Sequence, residues 1–356
     1  MNQYKHLSFK DQLLLFKQRK MGGIDVNSDN FERQVNSIRT IGYYNLKQYA
    51  YTFYDKSTKE YNGISFDDLI TKYWRDQRLK ELVFQAIADI EIALETQLAY
   101  VLGKVDGFTY VNFTDWAQCT GYNPNFKSSG KSERTMLPNV DFFFIKKSEV
   151  SFLKKLNRRV HDSNIVDIHK FLEEDKLMSR DRRKIFPPVW LMVNTLTFGE
   201  AVYILKLMSL ENRRRVADYF GLEVQELIGD LETLKLIRNM CCHNFNLSDI
   251  KLITLPSIRN KYYQYLKLYN DSEPPKRLAT VICVILELMK VVNPKYNFKD
   301  LKDELNLMCD VKCSRNKDDI ARSMGFKDYK SITDLINSFL IRKSMKIYPS
   351  GKEVLI

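Results

Sequence analysis

Cysteine and histidine are both scarce in this chain of 356 residues, which contains six cysteines and four histidines. The cysteines are irregularly spaced and two of them are adjacent, which argues against a disulfide framework. Cys309 and Cys313 have a spacing that could begin a zinc site, but no second pair of Cys or His residues follows them. We therefore expect a protein of the reducing cytoplasm that holds no metal and no cofactor.

Glycine, proline and long apolar runs are scarce as well. With 13 Gly and 9 Pro, the composition excludes a collagen-like chain and a sandwich built on Gly/Pro turns. The longest apolar run, Leu278–Val292, is shorter than the roughly 18 to 20 residues of a membrane span and contains Glu287 and Lys290. The first residues lack the apolar region of a secretory signal. A hydrophobic content of 44% excludes a disordered chain, so we expect a soluble protein without membrane contact.

The motifs of several common enzyme classes are also absent. The sequence has neither GxGxxG after a strand nor GxxxxGKS/T, which removes support for the classical nucleotide-binding folds. HExxH and GxSxG do not occur either, so zinc-protease and α/β-hydrolase chemistry are not indicated.

Positive charge is plentiful, with 56 Lys and Arg against 44 Asp and Glu and a formal net charge of +12. It is concentrated in three clusters, and aromatic residues are spread through the same chain. A basic surface with interleaved aromatic residues suits single-stranded nucleic acid, although any one cluster could be a solvated helix face. The predicted RNA-binding residues are Lys154, Lys155, Arg158, Arg159, Arg182, Arg183, Lys184, Arg213, Arg214 and Arg215.

Helical periodicity dominates the sequence and predicts an all-α fold. Apolar residues recur at intervals of three and four over long segments, as in helices that face a core. The predicted long helices are Phe66–Leu102, Val189–Leu207, Val224–Cys242 and Leu278–Val292. Short helices are predicted near both ends, at Phe9–Lys20, Asn30–Ile41 and beyond Lys317, where a helix pair could form a helix-turn-helix or a plain hairpin. We divide the chain into an N-terminal module (1–60), a core (61–295) with an irregular insertion at about 103–185, and a C-terminal module (296–356).

One predicted helix carries the residues best suited to chemistry. Leu227, Leu231 and Leu234 form an apolar stripe, and Arg238 is the next residue on it. A guanidinium on a buried face is costly unless it is paired or binds an anion, so Arg238 could also be half of a buried salt bridge. His243 lies five residues further on, about 140° around an ideal helix, so the two converge only if the helix ends or bends near this point.

An arginine and a histidine at one helix end suit the cleavage of a phosphodiester. Histidine exchanges a proton near neutral pH, and arginine holds a phosphate and stabilises its developing charge. No carboxylate cluster accompanies them, so attack by the 2′-hydroxyl of RNA is the natural route. We take Arg238 and His243 as catalytic, with Asn239, Asn244 and Glu91 as supporting residues.

Four stretches of the sequence resemble a known family. They are IRTIGYYNLKQY at Ile38–Tyr49, DQRLKELVFQAIADIEIALETQLAY at Asp76–Tyr100, PPVWLMVNTLTFGE at Pro187–Glu200 and LKLIRNMCCHN at Leu234–Asn244. Together they resemble the abortive-infection (Abi-like) family of the AbiD/AbiF type. The motif from Arg238 to His243 is similar to the R-x4-6-H motif of HEPN domains, all-α modules that are commonly metal-independent endoribonucleases.

The resemblance implies a HEPN-like helical bundle with N- and C-terminal helical additions and a ribonuclease of the phage-defence or toxin type. It also implies RNA as the cleavage substrate, regulation by a small structured noncoding RNA, and a homodimer with a composite site. The sequence departs from the family where a second His, an Arg and a Trp-Asn pair commonly follow the motif. Those positions are Asn244, Asn246, Ser248 and Asp249, and Glu95 replaces an arginine often found in the first long helix.

Two other functions are compatible with the sequence. One is a non-catalytic RNA-binding regulator with a HEPN-like core. The other is a DNA-binding repressor that uses the helix pair of the tail as a helix-turn-helix.

Overall fold

The structure is a computed structural model that describes residues 6–118, 140–175, 182–341, 345–347 and 353–355. Helices dominate it, which confirms the predicted all-α class. The α-helices are α1 (Phe9–Gln18), α2 (Phe31–Ile41), α3 (Tyr43–Ala50), α4 (Phe66–Leu102), α5 (Val140–Asp162), α6 (Val166–Asp175), α7 (Val189–Met192), α8 (Phe198–Leu207), α9 (Leu210–Phe220), α10 (Val224–Cys242), α11 (Leu278–Val292), α12 (Lys299–Cys309), α13 (Lys317–Ser323) and α14 (Tyr329–Ile341).

Two short antiparallel hairpins complete the regular structure of the described residues. The first pairs β1 (Tyr54–Asp55) with β2 (Glu60–Tyr61), and the second pairs β3 (Met345–Ile347) with β4 (Glu353–Leu355). Short 3-10 helices, among them Arg182–Ile185 and Asn260–Tyr265, connect some of the α-helices.

The chain forms two compact units that are discontinuous in sequence. The first unit comprises residues 1–87 and 236–356, and the second comprises residues 88–235. Helix α4 therefore begins in the first unit and ends in the second, whereas α10 runs from the second back into the first. The division into modules 1–60, 61–295 and 296–356 stays a prediction.

The N-terminal part of the first unit has a core of its own. Helices α1 to α3, the first hairpin and the start of α4 share a cluster of buried apolar side chains. Phe16 lies at its centre, where its ring packs against the rings of Tyr43, Tyr61 and Phe66 at centroid distances of 4.9 to 5.7 Å. Aromatic rings in such tilted arrangements bury a large area with specific geometry, so the aromatic-rich N-terminal sequence is a packed module.

Helix α11 is the most deeply buried helix of the first unit. Its bounds match the prediction, and eleven of its 15 residues are buried. Helices α12, α13 and α14 follow it, and α14 contributes Ile332, Leu335 and Ile336 to the core. A helix that is apolar on nearly all sides is an interior helix, which accounts for its membrane-like sequence.

One predicted helix is wrong in a specific respect. Residues 189–207 form not one helix but α7, a 3-10 turn at Val193–Thr195 and α8. Thr197 starts α8 as its N-cap: its side chain accepts a hydrogen bond from the Glu200 N–H, and the Glu200 side chain accepts one from the Thr197 N–H. This capping box satisfies backbone donors that would otherwise bond within a continuous helix.

The first part of the predicted irregular insertion, residues 103–118, has local structure. It contains two 3-10 turns, at Thr109–Val111 and Phe113–Asp115. Tyr110, Phe113 and Trp116 are buried, and the Tyr110 hydroxyl donates to the Pro187 carbonyl at 2.7 Å. Residues 119–139 lie outside the described structure, and α5 begins at Val140. The burial of these three aromatic side chains holds this part of the chain in place. The glycine residues in its sequence gave no indication of that burial.

Among the described residues, no helix is both long enough and apolar enough to cross a membrane.

Two glycines provide a matched test of backbone strain. Gly63 has a φ of +75°, and a Cβ added there would overlap the side chain of Ser314, whose N–H donates to the Gly63 carbonyl at 2.7 Å. Gly229, inside α10, has open space around its Cα. We expect Gly63→Ala to destabilise the protein by about 1 to 3 kcal/mol and Gly229→Ala to stabilise it by about 0.5 to 1 kcal/mol. Thermal unfolding of the full chain checks this, and a lower melting temperature for Gly229→Ala than for Gly63→Ala would contradict it.

Candidate active site

The apolar stripe predicted on α10 is present and leads to Arg238. Leu227, Leu231 and Leu234 are buried, and Arg238 is half-buried in line with them. The Arg238 guanidinium carbon lies 5.8 Å from the ring centroid of Phe84 on α4. A guanidinium over an aromatic face is attracted by the ring's negative face. The stripe therefore ends in a cation that is held against an aromatic ring.

Helix α10 ends where the sequence requires it to end. The N–H of His243 donates to the Asn239 carbonyl at 3.0 Å, and the N–H of Phe245 donates to the Met240 carbonyl at 3.1 Å. Asn244 lies between them with a φ of +56°. This is a Schellman cap, in which a left-handed residue stops the helix, and Asn is one of the residues that tolerate that conformation. His243 is thus the C-cap of α10, at the helix end that the pairing with Arg238 predicts.

The side chains around this helix end differ in exposure. Asn239, His243 and Asn244 are exposed, whereas Arg238 is half-buried. Cys242 is exposed, while Cys241 is half-buried and its burial raises the pKa of its thiol to about 12. The half-buried guanidinium and the exposed imidazole thus lie five residues apart at the end of the same helix.

A buried carboxylate fixes the segment that follows the motif. Asp76 on α4 is fully buried and accepts hydrogen bonds from the N–H groups of Leu247 at 3.2 Å and Ser248 at 2.7 Å. The Tyr49 hydroxyl of α3 donates to the same carboxylate at 2.7 Å, and the Lys80 ammonium lies 3.6 Å away. One side chain thus joins α3, α4 and the loop that leaves the end of α10.

The electrostatics of this network follow from its burial. Burial raises the pKa of the Asp76 carboxyl, while the Tyr49 hydroxyl and the Lys80 ammonium act in the opposite direction. Burial lowers the pKa of Lys80 and raises that of Tyr49. A buried charge is tolerated only while its partners are in place, so the network depends on all of its members.

Asn246, Ser248 and Asp249 belong to the same anchored loop. The Asn246 amide donates to Asp249 Oδ2 at 2.8 Å, and Asn246 Oδ1 accepts from the Ser248 hydroxyl at 3.0 Å and from the Asp249 N–H at 3.1 Å. Asp249 forms an ion pair with Lys72 of α4 at 2.6 Å. These residues therefore hold the loop against α4.

Sequence reasoning missed Asp76, Lys80 and Tyr49, although a signal was present. Asp76 and Lys80 are four residues apart and lie on the apolar face of α4 that also carries Leu69 and Val83. A charged pair on an apolar helical face is costly unless further partners satisfy it. Such a pair in the sequence indicates a buried polar network, even though it does not say what the partners are.

Glu91 and Glu95 lie four residues apart on α4, in the second compact unit, whereas Arg238 and His243 belong to the first. Both glutamates are half-buried. Burial, together with the charge of Glu91, raises the pKa of Glu95 to about 8. Glu95 is therefore a carboxyl group whose pKa lies well above its ordinary value.

The side chains of the basic cluster on α5 differ in their exposure to solvent. Lys154, Lys155 and Arg158 are exposed. Arg159 is half-buried and forms a two-point contact with Glu200, in which Nη2 donates to Oε1 at 2.7 Å. Because Glu200 also closes the capping box of α8, Arg159 has a structural partner within its own unit.

The described side chains of the other two basic clusters also differ in exposure and in their partners. Arg213 is only 3% exposed and donates to Gln118, so its guanidinium is not presented to solvent, whereas Arg214 is exposed. Arg215 is exposed and pairs with Glu211 at 2.6 Å. Arg183 pairs with Asp106 at 2.9 Å. The side chains of Arg182 and Lys184 lie outside the described part of the structure.

Metal ligands are not gathered in the described part of the chain, where no three His, Cys, Asp or Glu side chains form a group that could hold an ion. Burial raises the pKa of the Cys309 thiol to about 12, which disfavours the thiolate that binds zinc.

Comparison with known proteins identifies the family. Residues 36–249 match the model of the family described as Abi-like protein, which is more than half of the chain. The chain belongs to the Abi-like family. The matched region begins in α2 and ends at Asp249, so it contains the Asp76 network, the end of α10 and the anchored loop. No curated protein and no solved structure matches the chain. Membership of this family supports a role in phage defence by abortive infection.

The buried network predicts a large difference between two acidic residues of α4. We expect Asp76→Ala to destabilise this Abi-like protein by about 3 to 5 kcal/mol, because it leaves Lys80 buried without its carboxylate and two N–H groups without an acceptor. Glu81→Ala is the matched control: it removes a solvent-exposed pair with Arg78 on the same helix and should cost less than about 1 kcal/mol. Denaturant unfolding followed by circular dichroism measures both, and equal losses would contradict a central role for Asp76.

Proposed function

We propose that this Abi-like protein is a metal-independent endoribonuclease of the HEPN type that acts in phage defence. The observation that carries the proposal is the end of α10. There a half-buried arginine precedes an exposed histidine C-cap, and the following loop is anchored to α4 through Asp76. Functional side chains on rigid, anchored elements are held in position before the substrate arrives.

The proposed reaction is an attack by the RNA's own 2′-hydroxyl. The 2′-oxygen forms a bond to phosphorus as its proton passes to the His243 imidazole, and the bond from phosphorus to the 5′-oxygen breaks. The leaving 5′-oxygen takes up a proton, so the products are a 2′,3′-cyclic phosphate and a 5′-hydroxyl. Histidine suits the proton transfer because it titrates near neutral pH. Arg238 stabilises the extra negative charge on phosphorus through charge-assisted hydrogen bonds.

The supporting residues have narrower roles in this proposal. Asn239 is exposed one residue after Arg238 and offers an amide to the substrate. Asn244 sets the position of His243, because its left-handed conformation ends the helix. Glu91, the third supporting residue, stays a prediction from the sequence.

RNA is also the proposed binding partner. Among the predicted residues whose side chains the structure describes, the exposed ones are Lys154, Lys155, Arg158, Arg214 and Arg215. They carry proposed contacts to phosphates, with a small structured noncoding RNA as regulator. Each such contact releases counterions, so binding should weaken steeply with added salt.

We propose a homodimer as the active form. The proposed site contains one histidine per chain, His243. Attack by the 2′-hydroxyl uses two groups, one that accepts a proton and one that supplies a proton. A second copy related by a twofold axis along the α10 end would supply the second histidine, and twofold contacts are the commonest mode of self-association.

Two single substitutions test the catalytic assignment. Arg238→Ala and His243→Ala should each abolish RNA cleavage and growth toxicity, because each removes a group that acts in the chemical step. The control is His6→Ala, since His6 is exposed and lies before α1. Cleavage of a labelled RNA and circular dichroism of each variant are the measurements. Equal cleavage by His243→Ala and the unaltered chain would contradict the assignment.

The same assay separates the alternatives. RNA binding without turnover in the unaltered chain would favour the non-catalytic regulator, and preference for one DNA duplex would favour the repressor. A mixture of Arg238→Ala and His243→Ala chains should recover part of the activity if the site is shared, whereas a cleaving species that sediments as a monomer would contradict the dimer.

The route also predicts the response to chelation. Cleavage should continue in EDTA, and the products should carry 2′,3′-cyclic phosphate ends, because the 2′-hydroxyl is the nucleophile. End-group analysis by mass spectrometry checks the product. Loss of activity on chelation that Mg²⁺ restores would refute the metal-independent route.

A further inference from the structure

A second cluster of charge lies in the first compact unit and has no part in the proposed cleavage. It surrounds Glu287 of α11, whose carboxylate is contacted by three cations. Arg259 approaches it at 2.9 Å, Lys261 at 2.6 Å and Lys290 at 2.8 Å. The Tyr262 hydroxyl donates to the same carboxylate at 2.6 Å. The carboxylate of Glu287 is thus shared by three cations.

The cluster is partly removed from solvent. Tyr262 is buried, and the side chains of Lys261 and Lys290 are 31% and 24% exposed. Burial raises the pKa of Glu287, but the hydrogen bonds from Lys261, Lys290 and Tyr262 outweigh it and lower the pKa to about 2. Burial lowers the pKa of Lys290 to about 8, against the hydrogen bond with Glu287. The Lys261 and Lys290 ammonium groups share a single carboxylate oxygen, Oε2 of Glu287.

The side chains of Lys261 and Lys290 line a pocket. The pocket has a volume of about 70 Å³, enough for a phosphate group, and lies between the 3-10 helix Asn260–Tyr265, α11 and α14. Lys261, Lys290 and Tyr262 form one part of its wall, and Tyr265 and Phe339 are among the other lining residues. Of the described residues that line it, none is acidic.

We propose that this pocket binds the phosphate group of a nucleotide, either free or within an RNA, between the Lys261 and Lys290 ammonium groups. A phosphate offers several oxygens in a small volume, so it can accept from both ammonium groups at once. The aromatic side chains suit the base or sugar that accompanies a nucleotide phosphate, because bases stack on aromatic rings. A bound phosphate also offers these two ammonium groups acceptors besides the Glu287 oxygen that they share.

The first test is titration calorimetry of the full chain with adenosine monophosphate at pH 7. Lys261→Gln and Lys290→Gln should each weaken binding at least about tenfold, as expected when a charge-assisted hydrogen bond is lost. The matched control is Lys330→Gln, an exposed lysine in the first turn of α14, which makes the same change in net charge and should bind within about twofold of the unaltered chain. Equal binding by Lys290→Gln and the unaltered chain would overturn the proposal.

The second test is the pH dependence of the affinity for adenosine monophosphate. The groups around Lys290 are Arg259, Lys261, Glu287, buried Cys283 and the Tyr262 hydroxyl, which accepts from the Lys290 ammonium at 3.1 Å, and α14 contributes the uncharged Phe339. The pKa of Glu287 is lowered to about 2 and burial raises the pKa of the Cys283 thiol, so neither group changes its charge between pH 7 and 9. Nucleotide phosphate is already largely dianionic at pH 7. Affinity should therefore fall about tenfold from pH 7 to pH 9 as Lys290 loses its proton, and Lys290→Gln should not show this fall. A fall of equal size in Lys290→Gln would count against the assignment.

Competition experiments identify the source of the phosphate. Displacement of adenosine monophosphate by a 5′-phosphorylated 2′-O-methyl oligoribonucleotide, but not by its 5′-hydroxyl form, would assign an RNA end. Displacement by both forms would assign an internal phosphate, and displacement by neither would assign a free nucleotide. Succinate that binds as tightly as adenosine monophosphate, or a folded chain that binds none of these probes at millimolar concentration, would overturn the proposal. Adenosine monophosphate contains no phosphodiester to cleave and the oligonucleotide has its 2′-oxygens methylated, so the outcome is independent of Arg238 and His243.

Discussion

A carboxylate without solvent exposure needs hydrogen-bond donors on every side, and Asp76 obtains them from three parts of the chain. Tyr49 comes from the N-terminal helices, Lys80 from the next turn of α4, and two backbone N–H groups from the loop after α10. Because none of these donors is dispensable at such a site, the network couples the N-terminal module to the position of the α10 end. The presentation of His243 therefore depends on residues almost 170 positions earlier in the sequence.

The loop between His243 and Asp249 is held by hydrogen bonds among its own polar residues and by one ion pair to α4. Asn246, Ser248 and Asp249 form hydrogen bonds with one another, and Asp249 is paired with Lys72. The polar groups of this turn are satisfied by one another, and its Asp249 carboxylate binds the Lys72 ammonium of α4. These contacts fix the backbone of the loop against α4. In our proposal, these residues support the catalytic helix end and Arg238 and His243 carry the chemistry.

The arginines of the predicted RNA-binding clusters differ in whether they face the core or the solvent. Arg213 is buried and Arg159 closes a contact with the capping glutamate of α8, whereas Arg158 and Arg214 are exposed. Guanidinium groups serve equally well as structural partners and as phosphate ligands. Adjacent arginines in one sequence cluster can therefore have opposite roles, depending on which side of the helix faces the core.

The sequence by itself determined the helical class, the bounds of α10 and α11, the stripe that ends in Arg238 and the need for a helix end at His243. These features are local, because helical periodicity and capping act over a few residues. Tertiary structure decided that Thr197 divides the predicted helix at 189–207, that Arg213 is buried, and that Asp76 meets Tyr49 and Ser248. It also placed Arg259, Lys261 and Lys290 around Glu287. Such contacts join residues that are distant in sequence, and the cost of burying a charge is settled only when the folded chain supplies its partners.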